Sequence, residues 1–263
     1  MRTNWVRFLM AACLSVSLSA IADDATQQKG FDIAKQRKER DVGWGSSESS
    51  NRMILRDAQG NESVRQLRTQ ALEVQGDGDK SLTIFDQPAD VKGTAFLTYS
   101  HVDGADEQWL FMPALKRVKR ISSNNKSGPF MGSEFAYEDL TSFELDKFRF
   151  NWLRDETVNG VALHVIEAIP TDRYSGYTKV ITWLDTEAFR PLKTEYYDRK
   201  GALLKTATMS DYQLHKDKYW RPHRIDMVNH QTGKSTTLAI DSISFDTNLS
   251  VDDFTQNSLK RAR

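Results

Sequence analysis

Cysteine is nearly absent: the one such residue in 263, Cys13, falls in the first twenty positions. Once a leader of that length is removed, the chain carries no thiol, which excludes disulfides, thiolate metal sites and a cysteine nucleophile. Its stability must then come from burial. Histidine is scarce too. His101, His164, His215, His223 and His230 show no HExxH or HxH spacing, so nothing in the sequence announces a zinc site. A surplus of one charge is also missing, since 36 Lys and Arg balance 36 Asp and Glu, and a dedicated nucleic-acid binder would be strongly basic. There is no GxSxG elbow, and Gly43-Trp44-Gly45 lacks the third glycine and the preceding strand of a phosphate-binding loop.

Long hydrophobic runs are missing as well. The longest, residues 8–20, is shorter than the roughly 20 residues that span a bilayer. It follows Arg2 and Arg7 and ends in Ala20-Ile21-Ala22, the pattern of a secretory signal peptide cleaved after Ala22. The stretch Met10-Ala11-Ala12-Cys13 faintly resembles a lipoprotein acylation site, but Arg7 interrupts the run before it. The expected mature chain, residues 23–263, is read as one domain in the periplasm.

What is there is period-two hydrophobic patterning. Residues 24–40 read as one amphipathic helix with Phe31, Ile33 and Ala34 as its apolar stripe, broken at Gly43 and Gly45. Short alternating segments follow at 52–57, 63–75, 81–85, 95–100, 108–112, 143–153, 162–168, 179–184, 192–198, 203–210, 220–228 and 236–245, separated by Gly, Asn or Asp. Such spacing predicts sequential hairpins and an antiparallel sheet. Residues 121–132 read as a loop, Ser133 as the cap of a helical turn reaching Leu140, and Ser250 as the cap of another. Segments 94–100 and 109–112 carry large apolar groups on both faces. A strand with one wet face would alternate cleanly, so both faces need cover. A curled sheet with helices at its mouth satisfies that, and a mouth is where small-molecule sites form.

Three stretches, 88–97 (PADVKGTAFL), 106–121 (DEQWLFMPALKRVKRI) and 130–140 (FMGSEFAYEDL), resemble the family of outer-membrane lipoprotein-sorting-like proteins, relatives of the periplasmic carrier LolA. The likeness runs from about residue 30 to the end. It implies a mainly β fold: a strongly curved, antiparallel incomplete barrel with a few helices covering an apolar cavity for acyl chains, as in LolA and LolB. It also implies an association with inner-membrane exporters of the resistance-nodulation-division type.

The candidate cavity residues are Phe96, Leu97, Tyr99, Trp109, Phe111, Met112, Phe130, Met131, Phe135 and Trp183, with an ordinary solid core as the alternative. Gly128 and Gly132 flank Phe130 and Met131, so this loop reads either as a lid or as a plug. Lys116, Arg117, Lys119 and Arg120 form a basic run that would dock on anionic headgroups or an acidic partner, or simply protect an exposed edge. Asp103, Asp106 and Glu107 near His101 read as a solvated hairpin tip, since the spacing of a calcium loop is absent. The expectation is a non-enzymatic carrier or chaperone for acyl chains, lipid or lipoprotein, without a cofactor and with transient membrane contact. A non-transporting accessory or lipid sensor and a lipid or ester hydrolase stand as alternatives.

Overall fold

The structure is a computed structural model that describes residues 12–261, with side chains from residue 23 onward. The expected signal peptide therefore lies outside the described residues, apart from the helical backbone of 12–22. Helix α1 (Ala12–Arg40) includes the predicted helix and ends at the predicted break. Among the described residues no helix is long and apolar enough to cross a membrane.

Thirteen strands follow: β1 (Ser46–Arg56), β2 (Glu62–Leu72), β3 (Lys80–Gln87), β4 (Ala95–Tyr99), β5 (Glu107–Met112), β6 (Arg117–Ile121), β7 (Phe148–Val158), β8 (Val161–Pro170), β9 (Tyr177–Asp185), β10 (Pro191–Asp198), β11 (Leu203–His215), β12 (Tyr219–Asn229) and β13 (Ser235–Phe245). They form one sheet, ordered β6-β5-β4-β3-β2-β1-β13-β12-β11-β10-β9-β8-β7, and every neighbouring pair is antiparallel. The β1–β13 pairing joins two meanders, one on each side, and β6 and β7 remain as edges, so the sheet does not close. A short helix, α2 (Gln256–Arg261), ends the described chain.

Cross-strand register shows which side chains share a face. The line Leu110–Phe96–Thr83–Thr69–Ser49 crosses five strands on one side. Leu238 opposite Met53 and Ala207–Thr194–Thr182–Ile166 continue the same side through the second meander. This inner face is covered by the long 122–147 connection in its first half and by α1 at the β7–β8 end. On the other, outer face, Leu82, Ile84, Ala95, Leu97 and Trp109 pack against Phe254 and Leu259 from the C-terminal segment. That is why β4 and β5 are apolar on both sides.

Three details correct the sequence reading. Residues 143–147 precede β7 rather than beginning it, and Leu145–Lys147 form a turn of 3-10 helix. Ser133 caps no helix: its hydroxyl donates to the Phe130 carbonyl and accepts from the Phe135 amide, and the helical turn begins only at Tyr137. Strand β1 starts at Ser46, six residues earlier than the hydrophobic pattern suggests.

Helix α1 seats Ile33 and Ala34 against Phe150, Ile166, Ala168 and Leu184, while Phe31 stays largely exposed. Close approach is possible because Gly30 lies directly on β7, where an added Cβ would sit 2.6 Å from the Asn151 carbonyl carbon and the Trp152 nitrogen. Helix propensity alone would make Gly30→Ala stabilising by about 1 kcal/mol. Overpacking against backbone costs about 1–3 kcal/mol. The expected outcome in urea unfolding is no gain and a net loss of up to about 2 kcal/mol, whereas a gain would mean that α1 does not rest on β7.

Candidate functional site

A hollow of about 300 Å³ lies between the inner face and the 122–147 connection. Its apolar wall includes Met53 from β1, Leu67 from β2, Phe96 from β4, Ile225 from β12 and Leu238 from β13, with Phe130 at one side. Ser49 and Asn51 from β1, Thr69 from β2, and Ser81 and Thr83 from β3 form a polar wall. Arg221 also lines the space, with one guanidinium nitrogen 2.5 Å from Asp41 Oδ1 just after α1.

The cover is a small hairpin. The Phe130 amide donates to the Phe135 carbonyl (2.7 Å) and the Tyr137 amide to the Gly128 carbonyl (3.2 Å). Met131 and Gly132 make its tip with positive φ, 50° and 76°. The Phe130 ring sits 5.0 Å from Phe96 and 5.8 Å from both Phe85 and Tyr137. These are the contacts of a plug.

A buried ion pair holds this hairpin down. Lys205 and Asp139 are 3% and 4% exposed at the side chain and 2.6 Å apart. Lys205 Nζ also donates to the Glu134 carbonyl at 2.9 Å, and Asp139 accepts from the Ala136 amide and the Tyr177 hydroxyl, each at 2.7 Å. Burial, followed by the neighbouring Asp139 and Glu138 carboxylates, raises the Tyr177 hydroxyl's pKa well above its ordinary value, so it stays protonated and can donate. Glu134 is fixed further by its amide on Thr236 Oγ1 (3.0 Å) and by Asn229 Nδ2 on its carboxylate (2.7 Å). At the α1 end, Lys38 Nζ donates to Glu144 Oε1 at 2.9 Å. Asp79 stands near this pair, and burial pushes its carboxyl up to about 6, with Lys38 opposing the shift and Glu144 adding to it.

The expected cavity residues divide between layers. Phe96 and Phe130 line the hollow, while Met112, Met131 and Phe135 belong to the same inner cluster. Leu97, Tyr99, Trp109 and Phe111 face outward, where the Tyr99 hydroxyl bonds the Phe254 carbonyl. Trp183 is also outward-facing, in a separate cluster with Leu163, Val165 and Ile181, and its indole donates to Glu156 at 2.6 Å. The reading by residue type missed Ser49, Asn51, Thr69, Ser81 and Thr83, because hydroxyl and amide residues read as surface or turn.

The basic run lies on the edge strand β6 and just before it. Lys116, Arg117, Lys119 and Arg120 are exposed, Arg120 meets Glu107 at 2.7 Å, and Leu115 beside them is 62% exposed. At the 101–107 hairpin tip, Asp106 accepts from the His101 amide and from Lys147 Nζ, and His101 Nδ1 lies 2.8 Å from Asp77. His164 pairs with Asp155 at 2.6 Å, His230 with Thr206 at 2.8 Å, and His215 with His223 at 3.4 Å. Among the described residues no group of three or more His, Cys, Asp or Glu could hold a metal ion.

An open antiparallel sheet with a plugged hollow on its inner face defines a LolA-type architecture, and known proteins share it. A family model described as "-like: Uncharacterized protein" matches residues 77–261. A crystal structure of an outer membrane lipoprotein-sorting protein domain from Vibrio parahaemolyticus is 62% identical, with a TM-score of 0.88 over 89% of this chain and 100% of that one. A DUF1329 family protein from Desulfovibrio piger is 25% identical, with a TM-score of 0.84 over 89% of this chain and 99% of that one. A LolA superfamily protein from Nitrosomonas europaea shares the fold at 24% identity, with a TM-score of 0.70 over 89% of this chain and 99% of that one. Among curated proteins, none matches the chain. The chain belongs to the outer-membrane lipoprotein-sorting-like family and has a LolA-like fold.

Removing one partner of a buried ion pair costs about 3–5 kcal/mol. Lys205→Met is therefore expected to lower unfolding stability by that amount and to speed amide exchange at 130–140, and adding Asp139→Asn should recover part of the loss. Asp79 carries a distinct pH signature. Its folded pKa lies above its unfolded value, so its stabilising contribution is complete below pH 3.8 and is lost as pH rises through about 6. Asp79→Asn should accordingly raise stability at pH 7.5 by on the order of 2 kcal/mol and change it little at pH 4, as read by urea midpoints at the two pH values.

Proposed function

We propose that this protein is a periplasmic carrier or chaperone that shields an acyl chain, of a lipid or a lipoprotein, in the hollow beneath Phe130, and that it performs no covalent chemistry. The observation that carries this reading is the hollow itself: about 300 Å³, largely apolar, and bordered on one side by the Phe130 hairpin. A volume of that size is at the lower end of small-molecule sites. Burying about eight methylenes there contributes about 6 kcal/mol, equivalent to a Kd of tens of micromolar before the cost of ordering the chain. Such affinity permits loading and release, as a shuttle requires. Phe96, Met112, Phe130, Met131 and Phe135 form the cargo-facing layer in this reading, and Leu97, Tyr99, Trp109, Phe111 and Trp183 stiffen the sheet from behind.

Two features support the route. The N-terminal pattern of residues 1–22 is that of a signal for export to the periplasm, and in this reading lipid or lipoprotein is the cargo and an inner-membrane exporter the partner. The basic edge at Lys116, Arg117, Lys119 and Arg120, beside exposed Leu115, suits transient docking on anionic headgroups at about 1 kcal/mol per charge.

Native mass spectrometry of gently purified protein is expected to show co-purifying lipid. Filling the hollow with Ile225→Trp should weaken a fluorescent fatty acid at least tenfold while far-UV circular dichroism stays unchanged. Wild-type protein that is always empty and ignores fluorescent fatty acids would overturn the reading.

A further inference from the structure

Strands β12 and β13 form a ladder only from Val228–Ser235 to Arg224–Ala239. Beyond that pair each strand keeps its other neighbour: β11 follows β12 as far as Tyr219, and β1 follows β13 as far as Phe245. The sheet is therefore forked, and the sequence supplies two reasons. Pro222 has no amide proton to give to a ladder. Asp241 is the extra residue of a bulge, since Ser50 faces Ser242 while Asn51 faces Ile240, and a bulge bends the strand that carries it. A side chain bridges the start of the gap, where His223 Nδ1 donates to the Ile240 carbonyl at 2.9 Å.

Both banks of the fork line the hollow, Arg221 and Pro222 on one side, Ile240 and Ile243 on the other. Of the described residues that line it, Arg221 alone is charged. Its side chain is 22% exposed, and its guanidinium carbon lies 5.6 Å from the Phe245 ring centre and 5.8 Å from that of Tyr219. A single nitrogen, Nη1, makes both of its hydrogen bonds, to Asp41 Oδ1 at 2.5 Å and to the Trp220 carbonyl at 3.1 Å. Nε and Nη2, which hold three of the five N–H groups, have no hydrogen-bond partner among the described residues. That edge of a guanidinium matches the two oxygens of a carboxylate or phosphate, and a charge largely withdrawn from water is costly unless it is fully paired. We propose that the fork is a head-group site: an acyl chain lies in the hollow and its anionic end is gripped by Nε and Nη2 of Arg221. Parting of the strands leaves room for that end, which a continuous ladder would fill. An uncharged end, such as an alcohol, forgoes the charge-assisted bonds and is held by its chain alone. This inference rests on the acyl-chain reading of the hollow and adds a head-group selectivity to it.

The test is isothermal titration calorimetry of delipidated full-chain protein with three ligands that share a ten-carbon chain: decan-1-ol, decanoate and decyl phosphate. At least one of the two anions is expected to bind tenfold or more tighter than the alcohol, and which of them does so tells a carboxylate end from a phosphate end. In Arg221→Gln that advantage should fall to within twofold while the alcohol binds as in wild type, which shows the hollow intact. Arg221→Lys, which keeps the charge and loses the two-pronged edge, should retain an advantage of about threefold. Both variants should melt close to wild type, because an ion pair with so exposed a partner as Asp41 contributes little to stability. Anions that bind wild type no better than the alcohol would overturn the head-group site while leaving the carrier reading intact. An advantage that survives Arg221→Gln would overturn its assignment to Arg221. Absence of binding by all three ligands would overturn the carrier reading instead.

Discussion

The buried pair of Lys205 and Asp139 is the contact on which the inner face depends. A sheet of 13 strands that never closes presents an apolar side that must be covered by something other than its own continuation. Here the cover for the first meander is a short hairpin that buries Phe130, Phe135 and Ala136 and is also pinned by the ion pair. Lys205 reaches across from β11 to a backbone carbonyl and a carboxylate of that hairpin, so the two halves of the sheet are tied through their common cover. Burying two charges is costly, and replacing such a pair by apolar groups is often neutral or stabilising. Its value lies in direction: hydrogen bonds specify one placement of Phe130 where apolar contact would allow several.

That placement leaves the hollow. Phe130 packs at a tilt against Phe85 and Phe96 from β3 and β4, filling one side of the inner face. The stretch over β1, β12 and β13 receives no comparable side chain from the hairpin. The outer face solves its own covering problem independently: the C-terminal segment lays Phe254 and Leu259 on β3–β5, and Trp183 shelters beneath Lys193 and Arg154. The sheet is therefore stiff from behind while its front is closed by a separate, small element, and a change in that element alone can open the hollow without disturbing the strand ladder.

Much of this was legible in the sequence. Alternation with turn residues locates most strands and their antiparallel order, and the doubly apolar segments 94–100 and 109–112 correctly signal cover on both faces. What alternation cannot convey is which layer a given aromatic joins. Phe96 and Leu97 are neighbours in the chain and lie on opposite faces, and Trp183 falls outward because of a register many strands away from Phe96. The start of β1 was illegible for the opposite reason. Residues 46–51 (SSESSN) have the composition of a loop, yet they pair with β2 and β13 and bury Asn51. Polar residues inside a strand leave no hydrophobic signal, and in this protein those are the residues that give the hollow its chemistry. The family likeness supplied the cavity; residue patterns alone favoured a solid core.

A uniformly apolar cavity of this size, once emptied, leaves its lining without contact partners, which favours collapse of the cover or permanent retention of cargo. A polar wall changes both ends of the cycle. Water can occupy the Ser, Thr and Asn side while the hollow is empty, which reduces the free-energy difference between the loaded and unloaded protein. It also makes part of the cargo's hold depend on hydrogen bonds that water can replace at the moment of release. A row of hydroxyls in an oily interior, costly for stability alone, is consistent with a protein whose task is to let go as well as to hold.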